Sequence, residues 1–263
     1  MHNFDFVKPS SLAEAVKAMQ AEGAQALSGG QTLISTMKQR LAAPAVLVSL
    51  TGIAEMKGVS VAGRVMTIGA ATPHAVVAKE AAKAYPALAA LAGGIGDPAV
   101  RSRGTIGGSL ANNDPAACYP AGVLASAATI VTSRREIAAD DFFQGLFTTA
   151  LEEGEIITAV RFPIPDRAAY AKFLQPASRF SLTSAFVART GSAVRVAITG
   201  ASENGVFRWT EGERALSANF SPQAVKGLKA NADDMIGDLH GSKAYRAALV
   251  GVMTARAVAM AMA

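Results

Sequence analysis

The chain is poor in metal-binding and cross-linking residues: of 263 residues, one is cysteine (Cys118) and three are histidine. A lone sulfur cannot build an intrachain disulfide framework, a thiolate-rich zinc site or an iron–sulfur cluster. Any redox metal that works with this chain is therefore expected on another one. Charge is sparse as well, at 17%, and no run of adjacent Lys and Arg is longer than Arg134-Arg135. The net charge of +5 is uneven: residues 1 to 165 balance, and residues 166 to 263 carry twelve positive against seven negative groups. Aromatics, 6% of the chain, are not interleaved with the basic residues, so no nucleic-acid surface is expected. Long apolar runs are missing too. Ala247 to Ala255 is uncharged, but Arg246 and Arg256 bracket it, well short of the roughly twenty residues that span a bilayer. The first residues, Met-His-Asn-Phe-Asp, bring in an acid early and lack the apolar core of a secretory signal. The expectation is a cytoplasmic protein without a membrane span.

What is present is apolar material, 51% of the chain, enough for one or two packed domains. Ser10 or Ser11 caps a first helix that Glu14 supports and Gly23 stops, followed by a strand from Ala24 to Ser28. Gly29-Gly30 turns the chain into a helix over Thr32 to Leu41, which Pro44 ends before a strand at Val46 to Leu50. Alternation on both sides of Ala62-Gly63 reads as a hairpin over residues 58 to 70. Helices are expected from Thr72-Pro73 to Ala84 and from Pro86 to Leu91, then a glycine-rich polar loop region from Gly93 to Asp114. Strands follow at Thr129 to Thr132 and Glu155 to Phe162, and Pro163 and Pro165 mark a domain boundary. Beyond it come a hairpin, Leu182 to Arg189 with Ala193 to Thr199, and helices around Glu211 to Leu216, Pro222 to Asn231 and Ser242 to Met262. That order of elements is α+β, not a βαβ series.

Two segments carry chemistry: Ser28-Gly29-Gly30-Gln31-Thr32-Leu33 and Thr105-Ile106-Gly107-Gly108-Ser109-Leu110. Paired glycines let backbone N–H groups approach an anion closely, and Ser28, Thr32, Thr105 and Ser109 add hydroxyl donors for phosphate oxygens. The first segment also opens a helix. Together they are suited to hold a pyrophosphate from two sides. Other nucleotide sites fail on specific residues. No Gly-Lys-Ser/Thr follows either segment, which removes a Walker-type site. Gly94-Ile95-Gly96-Asp97-Pro98-Ala99 matches G-x-G-x-x-A, but its helical approach and Pro98 are wrong for a strand-turn-helix dinucleotide fingerprint.

Ser28 to Leu33, with Met37-Lys38 and Leu41 after it, resembles the first flavin loop of the FAD-binding medium subunits of molybdenum hydroxylases. That family includes the carbon monoxide and xanthine dehydrogenases. The second match is longer and more specific: Asp97-Pro98-Ala99-Val100-Arg101-Ser102-Arg103-Gly104 running through Thr105-Ile106-Gly107-Gly108-Ser109-Leu110-Ala111 to Asn113-Asp114-Pro115-Ala116-Ala117. Gly154-Glu155-Ile156-Ile157, and Lys172-Phe173 with Pro176 to Phe180, extend it. The resemblance implies a two-subdomain FAD-binding fold of the PCMH type over residues 1–165, with subdomains at about 1–52 and 53–165. A small α+β C-terminal domain over 166–263 follows.

The resemblance further implies that Leu27, Ser28, Gly29, Gly30, Gln31, Thr32, Leu33 and Ile34, with Thr105, Ile106, Gly107, Gly108 and Ser109, line the FAD diphosphate and ribityl chain. Ile95 and Ile157 are implied as apolar contacts and Lys172 as a polar one. Asp114 is a candidate sugar ligand, but relatives place an acid four residues later, where this chain has Cys118. No catalytic acid or base and no metal ligand is assigned. The implied partners are a molybdopterin-binding large subunit, a small subunit with two [2Fe–2S] clusters, and an external electron acceptor. Alternatives are a free-standing FAD oxidoreductase and a structural subunit with weakened FAD binding, the latter kept open by Cys118.

Overall fold

The computed structural model describes residues 1–263. Its first layer is β1 (Asp5–Val7), α1 (Leu12–Ala18), β2 (Ala24–Leu27), α2 (Leu33–Lys38) and β3 (Val46–Ser49), with the strands parallel in the order β1-β3-β2. The Ser11 hydroxyl accepts from the Glu14 N–H at 3.3 Å, and the Glu14 carboxylate accepts from the Ser10 N–H at 2.7 Å. Reciprocal bonds of this kind satisfy donors that the first helical turn leaves open. β1 escaped the sequence reading because all three of its residues are exposed and so carry no burial pattern. α2 is shorter than expected: it ends at Lys38, and Arg40 takes a positive φ of 61°, so the chain turns before Pro44 is reached.

The second layer begins with the hairpin β4 (Val59–Ala62) and β5 (Val65–Gly69). Five helices follow: α3 (His74–Glu80), α4 (Pro86–Gly93), α5 (Pro98–Arg103), α6 (Ile106–Asn112) and α7 (Tyr119–Ala125). Then come β6 (Thr129–Thr132), β7 (Glu136–Ala138), α8 (Ala139–Phe142), a small hairpin of β8 (Phe143–Gly145) and β9 (Thr148–Thr149), and β10 (Ile157–Pro163). The main sheet is antiparallel in the order β4-β5-β10-β6-β7. The segment expected as a loop from Gly93 to Asp114 is mostly helical. Asp97 caps α5 by accepting from the Val100 N–H at 2.8 Å, and Thr105 caps α6 by accepting from the Gly108 N–H at 3.2 Å. Helices of six and seven residues are too short to display a 3.6-residue apolar period, so composition outweighed the caps.

The third layer is antiparallel: β11 (Arg167–Leu174), β12 (Ser181–Thr190), β13 (Ala193–Thr199) and β14 (Phe207–Arg208), with α9 (Thr210–Ala218) and α10 (Lys243–Met262) packed against it. The helix expected over Pro222 to Asn231 is instead one short 3-10 turn, Pro222–Val225, with a second, Ala232–Asp234, just beyond that span. Gly227 between them sits at φ 83°, which no right-handed helix can accommodate.

Two buried apolar clusters hold these layers. The larger runs from Ala15 and Val48 through β5, β10 and α7 to Tyr170 and Phe186; the smaller joins Val187, Val196 and Trp209 to Val250 and Met253 of α10. Polar ties cross from the second layer to the third. Asp140 accepts from Arg195 through both oxygens, at 2.7 and 2.8 Å, and the same guanidinium donates to the Leu124 carbonyl. Thr199 donates to the carbonyl of Ala117 at 2.7 Å. The fold is α+β throughout, and no helix is long and apolar enough to cross a membrane.

Candidate functional site

Where the three layers meet there is a cavity of about 790 Å³, within the range of about 300–1,000 Å³ that small-molecule sites occupy. The turn between β2 and α2 forms one wall and the start of α6 the other. They touch: the hydroxyls of Ser28 and Thr105 hydrogen-bond at 2.8 Å across 77 residues of sequence.

The glycines differ in what they do here. A Cβ at Gly29 would overlap the Arg103 carbonyl oxygen and stand 2.7 Å from the Gly104 Cα, so the two segments are pressed backbone to backbone. Gly107 meets Ala70 in the same way, at 2.7 Å from its Cβ. Gly30 has φ 70°, a conformation that glycine adopts without strain. Gly108 is different. Its Cβ would find only the Thr105 Oγ1 at 3.2 Å and the Ser28 Cβ at 3.8 Å, and its backbone is ordinary helix, so packing does not require a glycine there. What the missing side chain leaves open at Gly108 is cavity, as a site approached by a ligand needs.

Of the residues singled out from sequence, Leu27, Ser28, Gly29, Gly30, Gln31, Thr32, Leu33, Ile95, Thr105, Gly107, Gly108, Ser109, Asp114, Cys118, Ile157 and Lys172 all lie on the cavity wall. Ile34 and Ile106 do not. Ile106 is fully buried in the larger core on the inner face of α6, and Ile34 packs its side chain under Gly30, 2.9 Å from where a Cβ would stand. Helical spacing turns both away from the cavity that their neighbours face. Gln31 holds the first turn closed, its amide donating to the Gly29 carbonyl at 3.1 Å. Asp114 accepts from the Ala116 N–H at 2.8 Å, which shapes the loop leading to Cys118. Cys118 is buried and stands just ahead of α7. Lys172 donates to the Gly94 carbonyl at 3.0 Å and so ties β11 to the end of α4.

The wall also contains residues that the sequence reading left out: Ala70 and Ala71 after β5, Gly104, His74, and the aromatic pair Phe147 and Phe180, both more than half exposed. His74 had no partner motif in the sequence; only the start of α3 against the Gly104 segment brings it here, its N–H donating to the Gly104 carbonyl at 2.9 Å. Glu155 lies at another edge of the cavity, its side chain enclosed. Burial raises its pKa, but hydrogen bonds from Arg135, the Glu152 N–H and Thr132, with the Arg135 charge, bring it down to about 2. It is an ionised structural anchor. No group of three or more His, Cys, Asp or Glu is placed to hold a metal ion.

Two glycine segments locked face to face at one cavity, within an α+β fold, define a site suited to an anionic, phosphate-bearing cofactor. The comparisons say which kind. Residues 2–165 match the family described as the FAD binding domain in molybdopterin dehydrogenase. The chain is 33% identical to the carbon monoxide dehydrogenase medium chain of Afipia carboxidovorans, over 99% of its own length and 97% of the relative's. It is 32% identical to the nicotine 6-hydroxylase medium subunit of Paenarthrobacter nicotinovorans, over 96% and 95%. A solved carbon monoxide dehydrogenase from Oligotropha carboxidovorans superposes with a TM-score of 0.89 at 30% identity, covering 99% of this chain and 98% of that one. The chain belongs to the FAD-binding family of the molybdopterin dehydrogenases and is of the medium-chain type.

Proposed function

We propose that this chain is the electron-transfer subunit of a molybdenum-containing hydroxylase complex. In that complex a molybdopterin-bearing large subunit oxidises the substrate, and electrons reach this subunit from [2Fe–2S] clusters of a small subunit and leave to an external acceptor. The observation that carries the reading is the locked pair of glycine turns, in a chain that aligns end to end with medium chains of such enzymes. The single cysteine supports the division of labour, because clusters of this kind need several thiolates that this chain does not have.

Bound FAD supplies reversible redox chemistry, and the protein supplies binding, orientation and access. Ser28 to Leu33 and Thr105 to Ser109 hold the diphosphate: backbone N–H groups and hydroxyls donate to its oxygens, and the bare Gly108 allows close approach. Leu27, Ile95 and Ile157 offer apolar surface to the rings, with Asp114 and Lys172 as polar groups and the buried Cys118 beside them. Cys118, where relatives carry an acid, leaves sugar hydroxyls with a weaker partner than a carboxylate. No residue is given the role of catalytic acid or base. Residues 1–52 and 53–165 form the two halves that meet at the diphosphate, and 166–263 close the cavity from the side of Lys172 and Phe180.

The test is an absorption spectrum of the purified chain with cofactor release on denaturation, then titration of the flavin-free chain with FAD. Binding near one equivalent supports the site. A folded chain that binds no added FAD, alone or with its partners, leaves the structural-subunit alternative. Copurification with iron–sulfur and molybdenum subunits, against isolation as an active single chain, separates the complex from a free-standing oxidoreductase.

A further inference from the structure

His74 opens α3 and has no part in the reading above. Its backbone N–H bonds the Gly104 carbonyl, and the neighbouring Pro73 bridges to Thr105, so the imidazole is carried to the point where the two glycine segments meet. The residue is 5% exposed and forms part of the cavity wall. Gly104 is fitted to it. That glycine has φ −59° and ψ 141°, a conformation open to any residue, yet a Cβ there would lie 2.7 Å from the His74 Nε2. The glycine is needed to make room for the imidazole and not for a turn.

The two ring nitrogens have different surroundings. Nδ1 is enclosed with no hydrogen-bond partner, on a ring whose centre is 5.3 Å from that of Tyr119, whose own hydroxyl is enclosed and unpartnered. Nε2 is left on the cavity side, against Gly104. Burial, then the Arg101 charge, lowers the pKa of the imidazole to about 4, so at neutral pH it has one proton to place. On Nδ1 that proton would be a buried donor with no acceptor, while on Nε2 it faces the space that a ligand or water fills. The Nε2–H tautomer follows, as does a third donor beside the two glycine segments.

We propose that His74 is a positioning residue of the cofactor site, its Nε2–H donating to a diphosphate oxygen of the bound dinucleotide at the junction of the two glycine segments. This rests on the FAD reading above. The side chain adds direction where the other donors are numerous but partly shared: Gly108 N–H is already given to Thr105, and one of the two hydroxyl protons of Ser28 and Thr105 is spent between them.

The experiment uses the full flavin-free chain labelled with 15N-histidine, titrated with FAD while flavin fluorescence reports occupancy. With only His2, His74 and His240 present, the His74→Gln variant assigns the signals. The expected result is a neutral Nε2–H imidazole at position 74 from pH 8 to 5.5, with ring-nitrogen signals that move in step with FAD saturation while those of His2 and His240 stay put. His74→Leu should weaken FAD binding about tenfold, and His74→Gln, which keeps a donor, should recover most of it. Flavin saturation with unmoved His74 signals, or an Nδ1–H tautomer, overturns the proposal even if the Leu variant does not fold. A flat flavin titration of the wild-type chain is instead the failure of the FAD reading, and the proposal falls with it.

Discussion

Gly108 and Gly29 lie in facing segments and should answer the same substitution in opposite ways. In Gly108→Ala the new methyl meets the Thr105 Oγ1 at 3.2 Å, a crowding relieved by a few tenths of an ångström, and otherwise points into open cavity. Helix propensity favours alanine there by roughly 0.5–1 kcal/mol, so the flavin-free protein should keep its stability within about 1 kcal/mol. In a chain of this size that is a melting shift of no more than about 4 °C. In the proposed site the same methyl stands where the diphosphate would approach. A misfit of one methyl costs about 1–3 kcal/mol, so FAD affinity should fall about 5- to 150-fold. Gly29→Ala drives its methyl into the Arg103 carbonyl and against the Gly104 Cα, backbone on both counts, and should destabilise the flavin-free protein by about 1–3 kcal/mol as well as losing FAD. Calorimetry without flavin and fluorescence titration with it separate the two effects. Wild-type FAD affinity in Gly108→Ala, or equal destabilisation by both changes, would refute the reasoning that one glycine serves the ligand and the other the packing.

Further outcomes follow from the ion pairs and the thiol. Glu155 has a folded pKa of about 2, below its unfolded value, so its stabilisation is complete above about pH 5 and is lost as pH falls toward 2. The shift corresponds to about 3 kcal/mol, and urea unfolding of Glu155→Gln should show a correspondingly flatter pH dependence over that window than wild type. Asp140→Asn removes the acid that Arg195 and Arg208 share across the second and third layers; because Asp140 is 44% exposed the loss should be only about 1 kcal/mol, and smaller still in high salt, as read by thermal melts. Cys118, 5% exposed, should resist a thiol-specific disulfide reagent in the native protein and react fully in denaturant. Rapid native labelling would contradict its placement in the core.

How much of this was legible beforehand depends on the length of pattern each element displays. α1, α10, the β4–β5 hairpin and the β12–β13 hairpin were readable because caps or period-2 alternation extend over enough residues to stand out. β1 was not, its three residues all being exposed, nor were α5 and α6, whose caps lie in a glycine-rich segment, nor α7, which has no side-chain cap. β11 was missed for another reason: packed on both sides along part of its length, it does not alternate.

The amino-acid sequence by itself determined the paired glycine segments, their hydroxyls, the absence of cluster ligands and the family resemblance, because each is a local matter of residue type and spacing. Only the tertiary structure decided which of those residues share a cavity. It brought Ser28 and Thr105 to 2.8 Å, sent Ile106 into the core and Ile34 against Gly30, and carried in His74 from an element with no motif of its own. The physical reason is that a contact across 77 residues is set by how sheets and helices pack, and packing depends on every buried surface at once.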